Sequence, residues 1–232
     1  MDDAPSDLSF SFARFADGFD SHIRKSIRGY NELLEDCVAF SEYFIDNDTS
    51  MFDIGCSTGS FLMHIWERNV RRAPQARYVG IDVEDSFASQ WEAYGAAGIE
   101  FKVADIRSFS IPDRCSLVTS LFSIQFIAER ERQKIIEQIY RGLVPGGAFL
   151  VAEKTVSQCA KLHEILTFVH YDYKRRHFSD EEILEKERSL RSLLKPWTEE
   201  RLINALVAAG FEARNVQPFW RNHSFAAFVA LR

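Results

Sequence analysis

The stretch MFDIGCSTGSFL, residues 51–62, ends an apolar run at an acid and continues through two glycines separated by three small residues. A short apolar run bounded by glycine is typical of a buried strand, and the segment that follows has helical character. In open α/β sheets, ligands bind at turns of this kind, and the bare backbones of Gly55 and Gly59 allow a ligand to approach closely. The alternative is a tight turn that holds no ligand.

Strand-like and helix-like segments alternate from residue 51 to 154. Strands are predicted at MFDIG, ARYVGIDVE, IEFKVADI, CSLVTSLFSIQF and AFLVAEK, with helices between them and a hard turn at PGG. This alternation predicts an α/β fold with a doubly wound, Rossmann-like sheet of mostly parallel strands. Towards the end of the chain, HSFAAFVALR reads as a strand that completes an antiparallel pair, and we expect seven strands.

The chain divides into four expected segments. Residues 1–50 comprise an arm dotted with Phe10, Phe12, Phe15 and Phe19, then two helices separated at Gly29. Residues 51–154 form the α/β core. Residues 155–195 are helical and strongly charged, which indicates a lid over the carboxyl edge of the sheet. Residues 196–232 add the last helix and the last strands of the core.

Composition excludes several classes of protein. The 232 residues carry a net charge of −6, which argues against a general nucleic-acid binder. The four cysteines form no CxxC pair, so we expect no metal site and no disulfide framework. The first residues, MDDAPSDLSF, are unlike a signal peptide, and no apolar run is long enough to span a bilayer. We therefore expect a cytoplasmic protein with no membrane partner.

Two further acids end predicted strands. Asp82 ends the second strand at a spacing from the glycine turn that suits hydrogen bonds to both ribose hydroxyls of a nucleoside. Its alternative role is a helix N-cap, although Asp85 or Ser86 could fill that position. Asp105 ends the third strand, where it could accept a hydrogen bond from an adenine amino group. Because GCSTG fits neither the phosphate loop nor G-x-G-x-x-G, it instead resembles the loop of class I S-adenosylmethionine (SAM) enzymes.

From about residue 22 to the end, the sequence resembles the carboxy-S-adenosyl-L-methionine synthases, within the class I SAM-dependent methyltransferase superfamily. The resemblance lies in the segments SIRGYNELL, DIGCSTGSFL, ADIRSFSI, LFSIQF, IYRGLVPGG, AEK, HYDYKR, SDEEILEKERSL and SFAAFVALR. It implies a SAM-dependent transferase that converts SAM and prephenate to carboxy-SAM, acts as a homodimer and needs no metal.

The resemblance also implies site residues. Arg188 matches the arginine that pairs with the extra carboxylate of carboxy-SAM and that reaches across the dimer interface in the family. Its alternative role is a solvated charge on a helix. The residues that match cofactor contacts, or that belong to the glycine loop, are Tyr30, Gly55, Cys56, Ser57, Gly59, Asp82, Val83, Asp105, Ile106 and Leu121.

Three departures from the family pattern fall near the expected pocket. Arg28 replaces a proline, Leu121 replaces an asparagine that contacts the ligand, and the spacing around Arg188 differs by one residue. An apolar side chain at position 121 cannot make the asparagine's hydrogen bond. Fold and cofactor are therefore expected to carry over better than the reaction.

SAM has three electrophilic carbons, so other reactions stay open. A small-molecule methyltransferase places a nucleophile at the methyl group. A cyclase places SAM's own amine behind its γ-carbon, which yields azetidine-2-carboxylate and releases methylthioadenosine. A protein that only binds a SAM-like ligand is a third class.

The segment FVHYDYKRRHF, residues 168–178, contains candidate catalytic groups. Tyr171 and Tyr173 could stabilise the sulfonium through their rings, and Asp172 could hold an ammonium group. The alternative is a lid helix whose aromatic side chains pack on the sheet. A helix cannot present every one of these neighbouring side chains to one pocket.

Overall fold

The computed structural model describes residues 18–232, so most of the expected N-terminal arm, with Phe10, Phe12 and Phe15, lies outside the described residues. The helices are α1 (Phe19–Ser26), α2 (Tyr30–Ser41), α3 (Ser60–Asn69), α4 (Ala88–Trp91), α5 (Glu129–Gly142), α6 (Ala160–Lys174), α7 (Asp180–Leu190) and α8 (Glu199–Ala209). The strands are β1 (Ser50–Ile54), β2 (Arg77–Asp82), β3 (Glu100–Val103), β4 (Cys115–Leu121), β5 (Leu143–Lys154), β6 (Val216–Asn222) and β7 (Phe225–Leu231).

The seven strands form one sheet in the order β3-β2-β1-β4-β5-β7-β6. The first five strands in this order pair in parallel, and β7 pairs antiparallel with both β5 and β6. This arrangement confirms the predicted doubly wound sheet with its final antiparallel pair. The strand order reverses between β1 and β4, which places the expected ligand crevice at the carboxyl ends of these two strands.

Helices cover both faces of the sheet. On one face, Ile135 and Ile139 of α5 pack with Leu206 of α8 against the strands. On the other face, Leu33 of α2 and Ile65 of α3 lie in a second core cluster. Every residue of β1 is buried, as expected for a central strand covered on both sides. No helix within residues 18–232 is long and apolar enough to cross a membrane.

The structure differs from the prediction in several local features. The strand predicted at CSLVTSLFSIQF ends at Leu121, and a 3₁₀ turn at Ile124–Phe126 follows it. The helix expected up to Gly98 is broken: a 3₁₀ turn at Asp85–Phe87, the single turn α4 and a 3₁₀ segment at Glu92–Ala97 take its place. The predicted hard turn at PGG lies inside β5, where residues 144–147 bulge out of the pairing with β4. Gly146 takes the left-handed φ of 80° that this bulge needs.

The segment after β5 is helical, as predicted. Helix α6 contacts the sheet through His170, whose ring lies 5.1 Å from that of Phe225 in β7. Helix α7 begins at a capping box in which Ser179 and Glu182 each accept a hydrogen bond from the other's backbone amide. The exposed face of α6 carries apolar side chains, Leu162, Ile165 and Phe168 among them.

A buried carboxyl group lies on the α5 side of the sheet. Neither carboxyl oxygen of Glu153 accepts a hydrogen bond from the described residues. Burial raises the pKa of Glu153 to about 8, and the charge of Arg132 and the nearby backbone of Gln125 and Ile124 oppose this rise without cancelling it. Arg132 is itself buried and donates to the backbone carbonyls of Gln125, Ile127 and Lys195.

This carboxyl group predicts a pH dependence of stability. The folded pKa of about 8 exceeds the ordinary value of 4.5, so between these values the folded protein keeps a proton that the unfolded chain has lost. Stability therefore falls with rising pH in this window, with a contribution of up to about 1.4 kcal/mol per pH unit.

Glu153→Gln should remove this contribution because the amide does not ionise. From pH 6 to pH 8, the free energy of unfolding of the wild type should therefore fall by on the order of 1–2 kcal/mol more than that of the variant. Urea denaturation at both pH values measures this difference. If the free energy of unfolding changed equally in wild type and variant between the two pH values, the raised pKa of Glu153 would be contradicted.

Candidate functional site

A cavity of about 410 Å³ lies at the carboxyl ends of β1, β2, β4 and β5. Helix α1 and the start of α2 form one side, and α6 and α7 form the other. This volume lies in the range of about 300–1,000 Å³ that is common for small-molecule sites. The cavity coincides with the point at which the strand order reverses.

The glycine turn forms the floor of the cavity. The amides of Gly55 and Cys56 both donate to the carbonyl of Ile81, which fixes the turn against the end of β2. A Cβ at Gly55 would lie 2.7 Å from Cβ of Ser123, so a glycine is needed where β1 and β4 meet.

Gly59 has a different role. It begins α3 at a φ of 80°, and a Cβ there would lie 2.8 Å from the ring of Phe101. The bare backbone at both glycines therefore makes room for neighbouring side chains of the protein. Gly59 does not line the cavity, whereas Gly55 does.

Asp82 connects the end of β2 to this turn. Its Oδ2 accepts from the amide of Ser57 at 2.9 Å, and its Oδ1 accepts from the amide of Glu84 at 2.9 Å. Asp82 thus fixes the turn that follows β2 and also lines the cavity. It is not the helix N-cap, because Glu84 holds that position before the 3₁₀ turn at Asp85–Phe87; its role as a ribose acceptor stays a prediction. A carboxylate has further lone pairs, which leaves capacity for hydroxyl donors.

Ser57 takes a left-handed φ of 44°, which is uncommon for a residue with a side chain. The bond from its amide to Asp82 and the bond from Trp91 Nε1 to its carbonyl, at 2.8 Å, hold it there. Such fixed, unusual backbone is common at ligand sites.

Asp53, the acid of the opening stretch, lies deeper in the cavity wall. It is 3% exposed, and its Oδ1 accepts from Thr119 Oγ1 at 2.5 Å. Burial raises the pKa of Asp53 to about 7, the Thr119 hydrogen bond opposes this rise, and Asp82 adds to it. Sequence reasoning noted this acid but did not include it among the site residues.

Asp105 lines the cavity, but its carboxylate is already paired. Arg107 Nε donates to both Asp105 oxygens, at 3.0 and 2.8 Å, and this interaction lowers the pKa of Asp105. An adenine amino group would have to share the carboxylate with Arg107. Val83, which is 70% exposed, and Ile106 supply apolar surface beside it.

The other predicted contacts also reach the cavity. Tyr30, Cys56 and Leu121 line it, with the ring of Tyr30 6.1 Å from that of Phe122. Burial raises the pKa of both the Tyr30 hydroxyl and the Cys56 thiol, so neither ionises near neutral pH. Phe122 follows Leu121 and has a left-handed φ of 63°.

The four predicted catalytic residues lie outside the cavity lining. Tyr173 donates from its hydroxyl to the carbonyl of Arg24, and Asp172 pairs with Arg175 on the surface. Tyr171 packs beside His170, and Arg188 is exposed on α7. Their catalytic roles stay predictions.

Different residues of the lid line the cavity. Helix α6 contributes His170 and Lys174, and α7 contributes Lys186 and Glu187, while Lys154 lies at the end of β5. Sequence reasoning considered His170 within FVHYDYKRRHF, but it did not place Lys154, Lys174, Lys186 or Glu187 in the site. The available signals were the spacing of His170 and Lys174, which places them on one helix face, and the position of Lys154 at a strand end.

The lysines make the lid side of the cavity electropositive. Burial, helped by the charges of Lys174 and Lys154, lowers the pKa of His170 to about 3. Burial and the charges of Lys186 and Lys174 likewise lower the pKa of His22 to about 4. Both imidazoles are therefore neutral at physiological pH, and Nδ1 of His170 has no hydrogen-bond partner among the described residues.

Sequence comparison identifies relatives over nearly the whole chain. Residues 51–147 match the family described as "Methyltransferase domain". The carboxy-S-adenosyl-L-methionine synthase of Staphylococcus epidermidis is 30% identical over 98% of this chain and 98% of its own. That of Salmonella paratyphi C is 31% identical over 94% of this chain and 89% of its own.

The chain belongs to the carboxy-S-adenosyl-L-methionine synthase family. It is thus a SAM-dependent transferase with the class I methyltransferase fold. Among solved structures, a putative methyltransferase in complex with the Haloferax volcanii Trm112 activator shares this fold. Its TM-score is 0.65 at 15% identity, over 95% of this chain and 97% of that one.

The cavity fits the cosubstrate of this carboxy-SAM synthase family. The glycine turn, the amide-bound carboxylate of Asp82 and the apolar surface of Val83 and Ile106 match the needs of a nucleoside. Within residues 18–232, no group of three or more histidine, cysteine, aspartate or glutamate side chains is arranged to hold a metal ion.

Asp82→Ala should weaken SAM binding because it removes the predicted ribose acceptor and also frees the Ser57 amide. The expected loss is on the order of 1–3 kcal/mol, which is roughly a tenfold to hundredfold rise in Kd. Titration calorimetry with SAM measures it. Asp85→Ala, at an exposed acid three residues further on, serves as the control and should bind as wild type does. Unchanged affinity in folded Asp82→Ala would remove Asp82 from the site.

Proposed function

We propose that the protein converts SAM and prephenate to carboxy-SAM. In this reaction a C–H bond of the SAM methyl group is replaced by a bond to a carboxyl carbon. Prephenate loses that carboxyl group and its ring hydroxide, and becomes phenylpyruvate. The hydroxide takes the methyl proton, so the products are carboxy-SAM, phenylpyruvate and water.

The observation that carries this proposal is the extent of the cavity. It runs from the strand-end acids Asp82 and Asp105 to the lid residues Lys174 and Lys186. The first part suits the nucleoside of SAM, and the second provides space and charge for another reactant. Relatives that bear the name of this activity match the chain from end to end, which supports the same conclusion.

The residues have distinct tasks in this proposal. Gly55, Cys56 and Ser57 hold the methionine part of SAM, and Asp82 accepts from the ribose hydroxyls. Val83, Asp105 and Ile106 contact the adenine, while Tyr30 and Leu121 close the pocket. The aromatic side chains around the site exclude water, which a carbon–carbon bond-forming step requires.

A specific observation favours a second candidate, which is cyclisation of SAM to azetidine-2-carboxylate. Helix α7 places the acid Glu187 in the cavity lining, whereas Arg188 is exposed. Leu121 also gives the pocket an apolar side chain instead of an amide. In the cyclase reaction SAM's neutral amine attacks its own γ-carbon, the C–S bond breaks, and methylthioadenosine leaves.

The wild-type product decides between the two. We expect SAM plus prephenate to give a species heavier than SAM by one carboxyl group, and SAM alone to give none. Mass spectrometry of both incubations measures this. Methylthioadenosine and a cyclic amino acid formed from SAM alone would defeat the proposal. A methylated small molecule would identify an ordinary methyltransferase.

The next prediction concerns the oligomeric state of the protein. We infer that residues 155–195 act as a lid and as the contact of a homodimer, since Leu162, Ile165 and Phe168 leave an apolar face on α6. In such a dimer the exposed Arg188 is free to serve a neighbouring pocket. Phe168→Asp should convert a dimer to a monomer, because a charge in an apolar interface costs several kcal/mol.

Light scattering at micromolar concentration measures the state of both proteins. Lys134→Ala, at an exposed position of α5 and outside the proposed contact, is the control. A wild-type monomer that is fully active would rule out this prediction.

A further inference from the structure

Helix α1 forms part of the cavity wall, although none of its residues is fully buried. Phe19, His22, Ile23 and Ser26 of this helix line the cavity, and Ile23 is partly buried against the core. A helix of eight residues is marginal by itself, and tertiary packing normally supplies most of its stability. With so little packing, the position of α1 depends on specific contacts at its two ends.

Asp20 makes the contact at the N-terminal end of α1. Its Oδ1 accepts a hydrogen bond from Thr58 Oγ1 at 3.0 Å, and its Oδ2 accepts one from Ser60 Oγ at 2.8 Å. Hydrogen bonds to a carboxylate are about twice as strong as those between neutral groups. Both hydroxyls belong to the glycine turn and the start of α3, so Asp20 joins α1 to the floor of the cavity.

The two hydroxyls face α1 and not the cavity. Ser57 and Phe61 line the cavity, but Thr58 and Ser60, which lie between them in the sequence, do not. Thr58 is 6% exposed, and its Oγ1 also lies 3.2 Å from Ser60 Oγ. Two hydroxyls of a ligand-binding turn that contact a helix instead of the ligand indicate a role in holding that helix.

The other end of α1 is attached to the lid. The hydroxyl of Tyr173 on α6 donates to the carbonyl of Arg24 at 3.0 Å, and the ring of His22 packs 5.1 Å from that of Phe178. Three residues after α1 ends, Gly29 takes a left-handed φ of 75° and the chain enters α2. Helix α1 therefore bridges the glycine turn and the lid along one side of the cavity.

We propose that Asp20 is a positioning residue for SAM: by accepting from Thr58 and Ser60, it keeps α1 in the wall of the site and so slows release of the ligand. Asp20 does not itself line the cavity, so it acts through α1 and not by contact with SAM. This role depends on SAM as the cosubstrate and is the same for either reaction considered above.

Asp20→Ala removes both acceptors, so α1 should open more often. Release of the ligand should become about tenfold faster, with a similar rise in Kd, because hydrogen bonds to a charged group are lost. Asp20→Asn keeps one carbonyl acceptor, and its amide can donate to the other hydroxyl, so release should stay within about threefold of wild type. Asp36→Ala, at an exposed acid of α2, is the control and should match wild type.

The hydroxyls test the same contact from its other side. Thr58→Val combined with Ser60→Ala should speed release about as much as Asp20→Ala does. Adding Asp20→Ala to this pair should have little further effect, because the three groups act as one unit. The hydroxyl variant also tests the contact if Asp20→Ala does not fold.

The experiment measures the rate at which tritiated S-adenosylhomocysteine leaves the full-length protein during a chase with unlabelled ligand. The same chase with labelled sinefungin, whose amine places a positive charge at the position of the sulfonium, separates positioning from direct attraction between charges. Hydrogen exchange provides a readout that a general loss of stability would not give. The amides of α1 should lose protection in Asp20→Ala, whereas those of β1 and β4 should keep it.

Unchanged release in Asp20→Ala overturns the positioning role. Faster release of sinefungin alone, with Asp20→Asn as damaging as Asp20→Ala, also overturns it, because Asp20 then acts through its charge. Additive effects of the Asp20 and hydroxyl variants overturn it as well, since the groups then act separately. If wild type makes no carboxy-SAM but release follows the expected pattern, the role of Asp20 stands and only the proposed reaction falls.

Discussion

The contact between the turn after β1 and the end of β2 is the constraint on which the site depends. The carbonyl of Ile81 accepts hydrogen bonds from the amides of Gly55 and Cys56, and the carboxylate of Asp82 accepts one from the amide of Ser57. These bonds bring two strand ends together and keep Ser57 in an unfavourable backbone conformation. The cavity floor is therefore formed before any ligand arrives, and ligand binding need not supply the free energy of ordering it.

Charge is distributed unevenly around this floor. Asp53, Asp82 and Asp105 line the strand-end part, and Lys154, Lys174 and Lys186 line the lid part. Because each group is partly withdrawn from water, each affects its neighbours more than it would on the surface. The same burial that raises the pKa of Asp53 lowers those of His170 and Lys186. A polarised cavity of this kind favours two ligands of different charge over one.

The lid depends on the sheet for its position. Helix α6 follows β5 after a few residues, and the single parallel bridge between Thr155 and Trp197 joins the beginning and the end of the segment. His170 of α6 packs 5.1 Å from the ring of Phe225 in β7, which fixes the rotation of this helix. That rotation sets which side chains of α6 reach the cavity, and so the contact between α6 and β7 governs the chemistry of the lid.

The sequence by itself determined the parallel sheet, the final antiparallel pair, the division at Gly29 and the glycine turn with its strand-end acids. These features depend on local periodicity and on residues with special backbone freedom, both of which are visible along the chain. Resemblance to known sequences added the family, and this resemblance extends over nearly the whole chain. Local propensity was misleading between residues 86 and 98, where a helical pattern is broken into short turns.

The tertiary structure decided which side chains face the cavity and in what state of charge. Four adjacent residues of α6, His170 to Tyr173, are equal candidates by composition, but helix rotation sends only His170 to the cavity lining. Lys154, Lys174 and Lys186 are separated by up to 32 residues, and no local pattern shows that they meet. Their shifted pKa values depend on burial and on distances between elements. Those quantities exist only after packing, which is the physical reason that the sequence could indicate where a ligand binds but not the charge of the wall that faces it.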